Sequence, residues 1–198
     1  MSKAPMVSII TVVLNDPVGL EKTIQSILNQ KYPNIEYIII DGGSREDTIK
    51  VIKRYEKYID YWISEKDNGI YDAMNKGIEL TTGEWIILMN ARDIFVDDYV
   101  LDKIFGNIEL EGIDIVYGDT ITTNGITSYS IKSHENPAAI KKEMIACHQS
   151  IFVRKEVYKR FKYDTTYKIA ADYDFLLKCY LNNCKFKHVG IYVAEYDL

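Results

Sequence analysis

Two apolar, β-branched runs in the first half of the chain end in an acidic residue. The first covers residues 35–41 and ends in Asp41, and the second covers residues 85–93 and ends in Asp93. Such runs are typical of buried parallel strands, and open α/β sheets bind ligands beyond the carboxyl ends of their strands. We therefore expect both carboxylates to face one crevice. Carboxylate oxygens suit a hard divalent cation and ribose hydroxyls, so the pattern indicates a nucleotide with Mg²⁺ or Mn²⁺.

Strand and helix patterns alternate along the part of the chain that must position these carboxylates. Strands are predicted over residues 6–14, 35–41, 61–64, 85–93 and 113–117, and helices over residues 18–30, 46–58, 70–80 and 97–107. This alternation predicts the α/β class, with a Rossmann-like, mostly parallel sheet that is flanked by helices on both faces.

The amino-acid composition changes after residue 118, where Thr, Ser and Gly become frequent. Asn124-Gly125 is a strong hairpin signal and predicts a small antiparallel element over residues 120–133. The remaining patterns predict strands over residues 148–153 and 185–193 and helices over residues 155–161 and 171–182. We expect one domain over residues 1–198.

Composition narrows the class of protein. The chain has 198 residues, of which 47% are hydrophobic, and a net charge of -5. That size supports a full core, and the acidic balance argues against nucleic acid as a partner. The three cysteines have no metal-binding spacing, and neither a signal peptide nor an apolar stretch of about 20 residues is present, which together predict a cytoplasmic protein with free thiols.

With these residues in view, nearly the whole chain resembles family 2 of the inverting glycosyltransferases, which adopt the GT-A fold. The resemblance depends on the order and spacing of several short motifs rather than on any one of them. In chain order they cover residues 7–11, 40–44, 68–77, 88–93, 148–150 and 170–174. The sequence of residues 70–77 is similar to that of the family branch that builds bacterial surface polysaccharides.

The resemblance implies that the N-terminal part, residues 1–117, holds a nucleotide diphosphate sugar, with a UDP-sugar favoured. Thr11, Asn15 and Asp41 would then surround the base and ribose. A carboxylate at a strand end can accept hydrogen bonds from hydroxyls or an N–H group, which makes this role for Asp41 chemically reasonable. The alternative for Asp41 is a helix cap for the segment that begins at Ser44.

Asp93 matches the last position of the motif that holds the divalent cation in this fold. A cation there would stabilise the negative charge of the departing diphosphate. The sequence differs from the usual acidic motif, because Asn90 and Arg92 occupy positions where acidic residues often stand. Our hypothesis is that Arg92 contacts a phosphate directly and replaces part of the missing neutralisation. The alternative is an exposed loop arginine.

Asp172 matches the position of the general base, which removes the proton from the attacking hydroxyl in an inverting transfer. The alternative for Asp172 is an N-cap of the helix predicted over residues 171–182. Asp174 is expected to point elsewhere on that helix and to be solvated or to stabilise the helix dipole.

Four further residues match the donor-lining segments of the family: Asp67, Asp72, Lys76 and His148. Met74 stands where many relatives carry an arginine, so Lys76 or Lys66 is a candidate replacement for a phosphate contact. The alternatives are a solvated helix face for the lysines and a structural role for the histidine.

The resemblance therefore implies transfer of a sugar to a hydroxyl of a glycan or lipid-linked glycan, with residues 118–198 on the acceptor side. A module that binds the nucleotide sugar without turnover is the second hypothesis, since the cation motif is weakened. A dinucleotide-dependent oxidoreductase is disfavoured because residues 14–19 lack the glycine pattern that such enzymes need. Relatives commonly continue beyond the last predicted strand, so we expect acceptor or peripheral membrane contacts in a further segment.

Overall fold

The computed structural model describes residues 4–197, and one nine-stranded sheet runs through these residues. Its N-terminal half is parallel. Four strands lie side by side in this half, in the spatial order β3 (Tyr61–Ser64), β2 (Ile35–Asp41), β1 (Val7–Val13) and β4 (Trp85–Leu88). Because all four run in one direction, their carboxyl ends meet at one edge of the sheet.

Three helices make the crossovers between these strands: α1 (Pro17–Leu28), α2 (Glu46–Tyr55) and α3 (Ile70–Leu80). Helix α1 begins as the sequence predicts, with Pro17 in the first turn and the Asp16 side chain accepting a hydrogen bond from the backbone N–H of Gly19 at 3.0 Å.

The other half of the sheet mixes directions. Strand β8 (Ile151–Arg154) runs antiparallel to both β4 and β6 (Ile115–Thr123), and β9 (Phe186–Asp197) runs parallel to β6. Strand β7 (Ser128–Ile131) forms the predicted hairpin with β6. The predicted boundary at residue 117 between donor and acceptor parts lies inside β6, and that division stays a prediction.

Two hydrophobic cores cover the two faces of the sheet. Helices α1, α2 and α4 (Val100–Phe105) pack on one face, and α3, α5 (Lys155–Arg160) and α6 (Ala171–Leu181) pack on the other. Strand β1 supplies Ile9 to the first core and Ile10 to the second, which explains why its sequence is apolar without alternation.

Several predicted boundaries differ from the structure. The strand predicted over residues 85–93 ends at Leu88, and a separate strand β5 (Ile94–Phe95) pairs with β9. Residues 148–150 form a 3₁₀ turn before β8, and α4 begins at Val100 instead of residue 97. The break after β4 follows from its backbone, because Arg92 has a left-handed φ of 86° and cannot continue a strand. In the described part of the chain, no helix is long and apolar enough to span a bilayer.

Candidate active site

A cavity of about 660 Å³ opens beside the loop that follows β4, and its size is within the range of ligand pockets. Four of the residues that the sequence predicted for the site line it: Arg92, Asp93, His148 and Asp172. Asp93 and Asp172 are 79 positions apart in the numbering of the chain, and the fold brings them to one cavity. The 3₁₀ turn at residues 148–150 and the start of α6 supply the wall beyond the β4 loop.

The loop over residues 90–93 is a tight turn that holds the Asp93 side chain in place. The backbone N–H of Asn90 donates to Oδ2 of Asp93 at 2.9 Å, and the backbone N–H of Asp93 donates to the carbonyl of Asn90 at 2.9 Å. Thr23 of α1 secures the turn from behind, since its hydroxyl donates to the Asp93 carbonyl at 2.8 Å and accepts from the Arg92 N–H at 3.0 Å. Asp93 is therefore a buried and rigidly held carboxylate.

His148 contacts the same turn. Its Nε2 atom lies 2.9 Å from Nδ2 of Asn90 and 3.9 Å from Oδ2 of Asp93. Burial lowers the pKa of His148, although the negative charge of Asp172 acts in the opposite direction. A depressed pKa favours the neutral imidazole at neutral pH, and a neutral ring nitrogen can accept the Asn90 amide hydrogen.

Asp172 lies in the first turn of α6 and is half-buried. The residue at the N-cap position of this helix is Ala170, with a left-handed φ of 69°, so Asp172 is not the cap that the alternative reading required. The hydroxyl of Tyr71 donates to Oδ1 of Asp172 at 3.4 Å. Asp174, two residues on, forms an ion pair with Lys178 at 2.6 Å.

Thr11, Asn15 and Asp41 lie at the same edge of the sheet but do not line the large cavity. Asp41 is paired in register with Val13 at the end of β1, and the N–H of Ala91 donates to the Val12 carbonyl on the other side of that strand. The ends of β2 and of the β4 loop therefore flank β1, at about 10 Å from each other by strand spacing.

The Asp41 carboxylate is fully buried. Its Oδ2 atom accepts hydrogen bonds from the backbone N–H groups of Gly43 and Ser44 and from the hydroxyl of Ser64, at 3.1, 2.8 and 2.6 Å. These bonds shape the loop between β2 and α2, and the N-cap of α2 is Arg45, so Asp41 does not cap that helix. Its Oδ1 atom is buried without a hydrogen-bond partner. An unpartnered buried carboxylate oxygen is costly, which marks it as a candidate ligand acceptor.

Thr11 and Asn15 have protein partners. Thr11 is fully buried, and its hydroxyl accepts a hydrogen bond from Tyr37 at 3.0 Å. Asn15 is exposed, and its Oδ1 atom accepts from the backbone N–H of Arg45 at 2.9 Å. Asn15 is thus accessible to a ligand at the surface, whereas the Thr11 side chain is enclosed by the protein.

Asp67, Asp72 and Lys76 gather around the start of α3. Asp67 accepts from the N–H of Gly69 and Asp72 from the N–H of Asn68, each at 3.0 Å. The Lys76 ammonium is 2.9 Å from a Glu65 oxygen and 3.4 Å from an Asp72 oxygen, so two carboxylates already balance it. Met74, which stands where many relatives carry an arginine, is buried in the core. This position of α3 therefore faces inward.

Sequence reasoning missed several residues that line the cavity, among them Lys132, His134 and Tyr196. Lys132 is held by the buried Asp119, whose carboxylate lies 2.6 Å from the ammonium. Lys132 and His134 come from the segment after β7 and Tyr196 comes from β9, and no motif or spacing links them to the acidic residues in the first half of the chain.

The donor set for a cation is small. Among residues 4–197, no group of three His, Cys, Asp or Glu side chains is arranged to hold a metal ion. Asp93 is the cavity carboxylate that the sequence assigned to the cation, and a cation there would take most of its ligands from phosphate and water. Mg²⁺ commonly binds in that way, so the site fits a substrate-dependent cation and does not fit a closed protein cage.

A parallel sheet half with a cavity at its carboxyl edge and acidic residues around it is the arrangement expected of the GT-A fold. The sequence model described as "Glycosyl transferase family 2" matches residues 8–175. The chain therefore belongs to glycosyltransferase family 2, and the predicted enzyme class and family are confirmed.

Two curated relatives support this membership. A PGL/p-HBAD biosynthesis glycosyltransferase of Mycobacterium bovis is 31% identical over 202 residues, which cover 98% of this chain and 77% of the relative. An uncharacterised glycosyltransferase of Mycobacterium tuberculosis is 32% identical over 213 residues, covering 100% and 77% of the two chains.

Solved structures confirm the predicted fold class. TarS from S. aureus, crystallised with UDP, matches with a TM-score of 0.82 at 16% identity. A mannosyltransferase from Pyrobaculum calidifontis, in complex with GDP-Man and Mn²⁺, matches with a TM-score of 0.74 at 15% identity. The match covers 98% of this chain and 60% of that TarS chain.

Proposed function

We propose that this protein is an inverting glycosyltransferase that transfers a sugar from a nucleotide diphosphate sugar to a hydroxyl of a glycan or lipid-linked glycan. The observation that carries the proposal is that Asp93 and Asp172 line one cavity at the edge of a GT-A sheet. An inverting transfer needs one carboxylate for the acceptor proton and neutralisation of the departing diphosphate on the opposite side of the sugar.

In this mechanism Asp172 accepts the proton of the acceptor hydroxyl. The hydroxyl oxygen forms a bond to the anomeric carbon as the bond from that carbon to the diphosphate breaks, and the nucleoside diphosphate leaves. Arg92 contacts the diphosphate as it gains charge. His148, with a lowered pKa, stays neutral beside Asp93 and orients the turn through Asn90.

The base and ribose of the donor bind at the ends of β1 and β2. The unpartnered Oδ1 atom of Asp41 supports this role, because a hydroxyl or N–H group of the nucleotide would satisfy it. Thr11 supports the loop from beneath and Asn15 contacts the ligand at the surface. Asp67, Asp72 and Lys76 form the rim at the start of α3. UDP is the favoured nucleotide, in keeping with the UDP complex of TarS, and GDP is its competitor.

A divalent cation, Mg²⁺ or Mn²⁺, is the proposed cofactor, with Asp93 as its protein ligand. When bound, the cation would act as a Lewis acid on the diphosphate. The Mn²⁺ complex of the archaeal mannosyltransferase supports use of a cation in this fold.

The acceptor binds on the side formed by residues 118–198, where the segment after β7 supplies Lys132 and His134 to the cavity wall. We favour a glycan or lipid-linked acceptor of bacterial polysaccharide synthesis, and the curated relative named a PGL/p-HBAD biosynthesis glycosyltransferase supports a bacterial biosynthetic role. The cytoplasmic location and a peripheral contact with the membrane remain part of this proposal.

A second candidate function is a module that binds the nucleotide sugar without turnover. The specific observation in its favour is the pair Asn90 and Arg92, which replace acidic residues in the cation motif. Such a module would need the donor pocket but would have no use for a base at the cavity.

The experiment is a thermal-shift screen with UDP, GDP, CMP and dTDP sugars, each with and without Mn²⁺, followed by a nucleoside diphosphate release assay with the stabilising donor. We expect a UDP-sugar to stabilise the protein most, because a ligand stabilises the folded state in proportion to the logarithm of its concentration over its Kd. Slow donor hydrolysis that disappears in Asp172→Asn supports the enzyme. Stabilisation without any release supports the binding module, and stabilisation by none of the donors contradicts both.

A further inference from the structure

The hydroxyl of Tyr71, from the first turn of α3, lies at the start of α6 beside Asp172. The N-cap residue of α6 is Ala170, which has no side chain able to cap. Burial raises the pKa of the Tyr71 hydroxyl and the negative charge of Asp172 raises it further, whereas the nearby backbone N–H groups of Ala171 and Asp172 act in the opposite direction. The Tyr71 oxygen therefore lies close to the first backbone N–H groups of α6, which have no partner within the helix.

The same hydroxyl contacts the proposed base. It donates a hydrogen bond to Oδ1 of Asp172 at 3.4 Å. A residue of α3 therefore contacts the carboxylate at the start of α6.

Tyr71 is itself held firmly. Asn75, one turn further along α3, exchanges two hydrogen bonds with the backbone of Tyr163: its amide donates to the carbonyl at 2.8 Å, and its oxygen accepts from the N–H at 3.1 Å. The Tyr71 and Tyr163 rings pack with their centroids 5.6 Å apart. Helix α3 is thus tied to the acceptor half of the chain on the side where Asp172 lies.

We propose that Tyr71 is a positioning residue for the transfer reaction. Its hydroxyl orients the Asp172 carboxylate toward the cavity and links the base to α3, whose first turn borders the proposed donor rim. The inference rests on the proposed role of Asp172 as general base. It goes further, because it names a residue that does not line the cavity yet sets the geometry of the group that does.

The first test is the Tyr71→Phe variant, which removes the hydroxyl and keeps the ring. We expect kcat to fall about 5- to 30-fold, since a hydrogen bond to a charged group and the alignment of the base are lost. KM for the donor should change less than about threefold, because the ring still packs on Tyr163.

Three other titratable side chains lie near Asp172, and the variants compared here leave all three in place. Cys147 and His148 lie on the segment before β8, and Tyr163 lies on the segment before α6; each is close enough for its charge to interact with Asp172. Tyr173→Phe is the matched control, because Tyr173 is the next residue of α6 and its hydroxyl donates to the Ile140 carbonyl at 2.7 Å. A Tyr71→Phe enzyme with the kcat of Tyr173→Phe would overturn the proposal.

A second measurement separates this inference from the proposed function. In protein labelled with ¹³C at the tyrosine ζ carbon, the Tyr71 resonance, identified by its loss in Tyr71→Phe, should shift in Asp172→Asn, because the carboxylate that accepts its hydrogen bond is replaced by an amide. An unshifted resonance overturns the positioning contact, whereas full transfer by Asp172→Asn overturns the role of the base and leaves the spectroscopic result intact.

Discussion

The guanidinium group of Arg92 forms an ion pair with the carboxylate of Asp16, with Nε at 2.5 Å from Oδ2. The pair joins the loop after β4 to the residue that caps α1. Burial would raise the pKa of Asp16, but the hydrogen bonds from Arg92 and from the N–H of Gly19 outweigh it and lower that pKa. The cation of Arg92 is therefore held at the rim of the cavity by a carboxylate that stays ionised.

Replacing Arg92 tests whether this cation serves the donor. We expect Arg92→Ala to weaken the binding of a nucleoside diphosphate about tenfold, which is the usual effect of losing one charge-assisted hydrogen bond. Isothermal titration calorimetry with UDP and GDP measures the change directly.

Arg54→Ala is the control for this variant. Arg54 also pairs with an acidic residue of α1, Glu21 at 2.7 Å, and is similarly exposed, but it does not line the cavity. Its removal should leave nucleotide affinity unchanged. Equal affinities of Arg92→Ala and Arg54→Ala would contradict a phosphate contact.

Gly77 permits the close approach of α3 to the sheet. A Cβ atom at this position would lie 2.5 Å from Cγ2 of the buried Ile10 and 3.2 Å from Cγ1 of Ile40. Overpacking of this kind lowers the free energy of unfolding by about 1–3 kcal/mol, and the better helix propensity of alanine offsets about 1 kcal/mol of this loss. We expect Gly77→Ala to lower the free energy of unfolding by about 1 kcal/mol, measured by urea denaturation. Glu79→Ala on the exposed face of the same helix should have little effect, and a stabilised Gly77→Ala would refute the packing argument.

Asp119 is a buried carboxylate of β6, in the half of the sheet that mixes strand directions. Burial would raise its pKa, but hydrogen bonds from Lys132, from the N–H of Ser133 and from His188 lower it. Because the folded protein prefers the ionised form, this stabilisation is present above the ordinary pKa near 3.8 and is lost as pH falls through the lower folded value.

We therefore expect Asp119→Ala to lose about 2 kcal/mol of stability at pH 7, since Ser133 and His188 are left without their partner. The difference from the wild type should shrink below about pH 4. Urea unfolding at pH 7 and at pH 3.5 measures both values. The same difference in unfolding free energy between wild type and Asp119→Ala at both pH values would show that the carboxylate charge does not produce this stabilisation.

The sequence predicted the parallel half of the fold well, because β1 and β4 are buried along their whole length and β2 over its last five residues, which makes their sequences largely apolar. The predicted bounds of β2 and α3 match the structure at Asp41 and Leu80. Asp41 and Asp93 follow parallel strands and lie at the same end of the sheet, but Asp93 lines the cavity and the buried Asp41 does not.

The sequence could not reveal contacts that depend on long-range packing. Tyr71 and Asp172 are 101 residues apart in the chain, and no local pattern predicts that the hydroxyl of one would contact the carboxylate of the other. The end of β4 was placed too late because apolar residues continue to Met89, while the left-handed backbone at Arg92 leaves no mark on hydropathy. The pairing of Lys76 with Glu65 was equally hidden, because Glu65 belongs to the loop before α3, whereas its pairing with Asp72 follows from their spacing of four residues on one helix.

The transfer rate of Asp172→Asn compared with Asp174→Asn tests the central claim most directly. The two residues share the first turn of α6, but Asp172 lines the cavity and Asp174 pairs with Lys178. With a stabilising donor at saturation, Asp172→Asn should lose about 10²- to 10⁴-fold in turnover with unchanged donor affinity, and Asp174→Asn should stay close to the wild type. Equal turnover by the two variants would contradict the account.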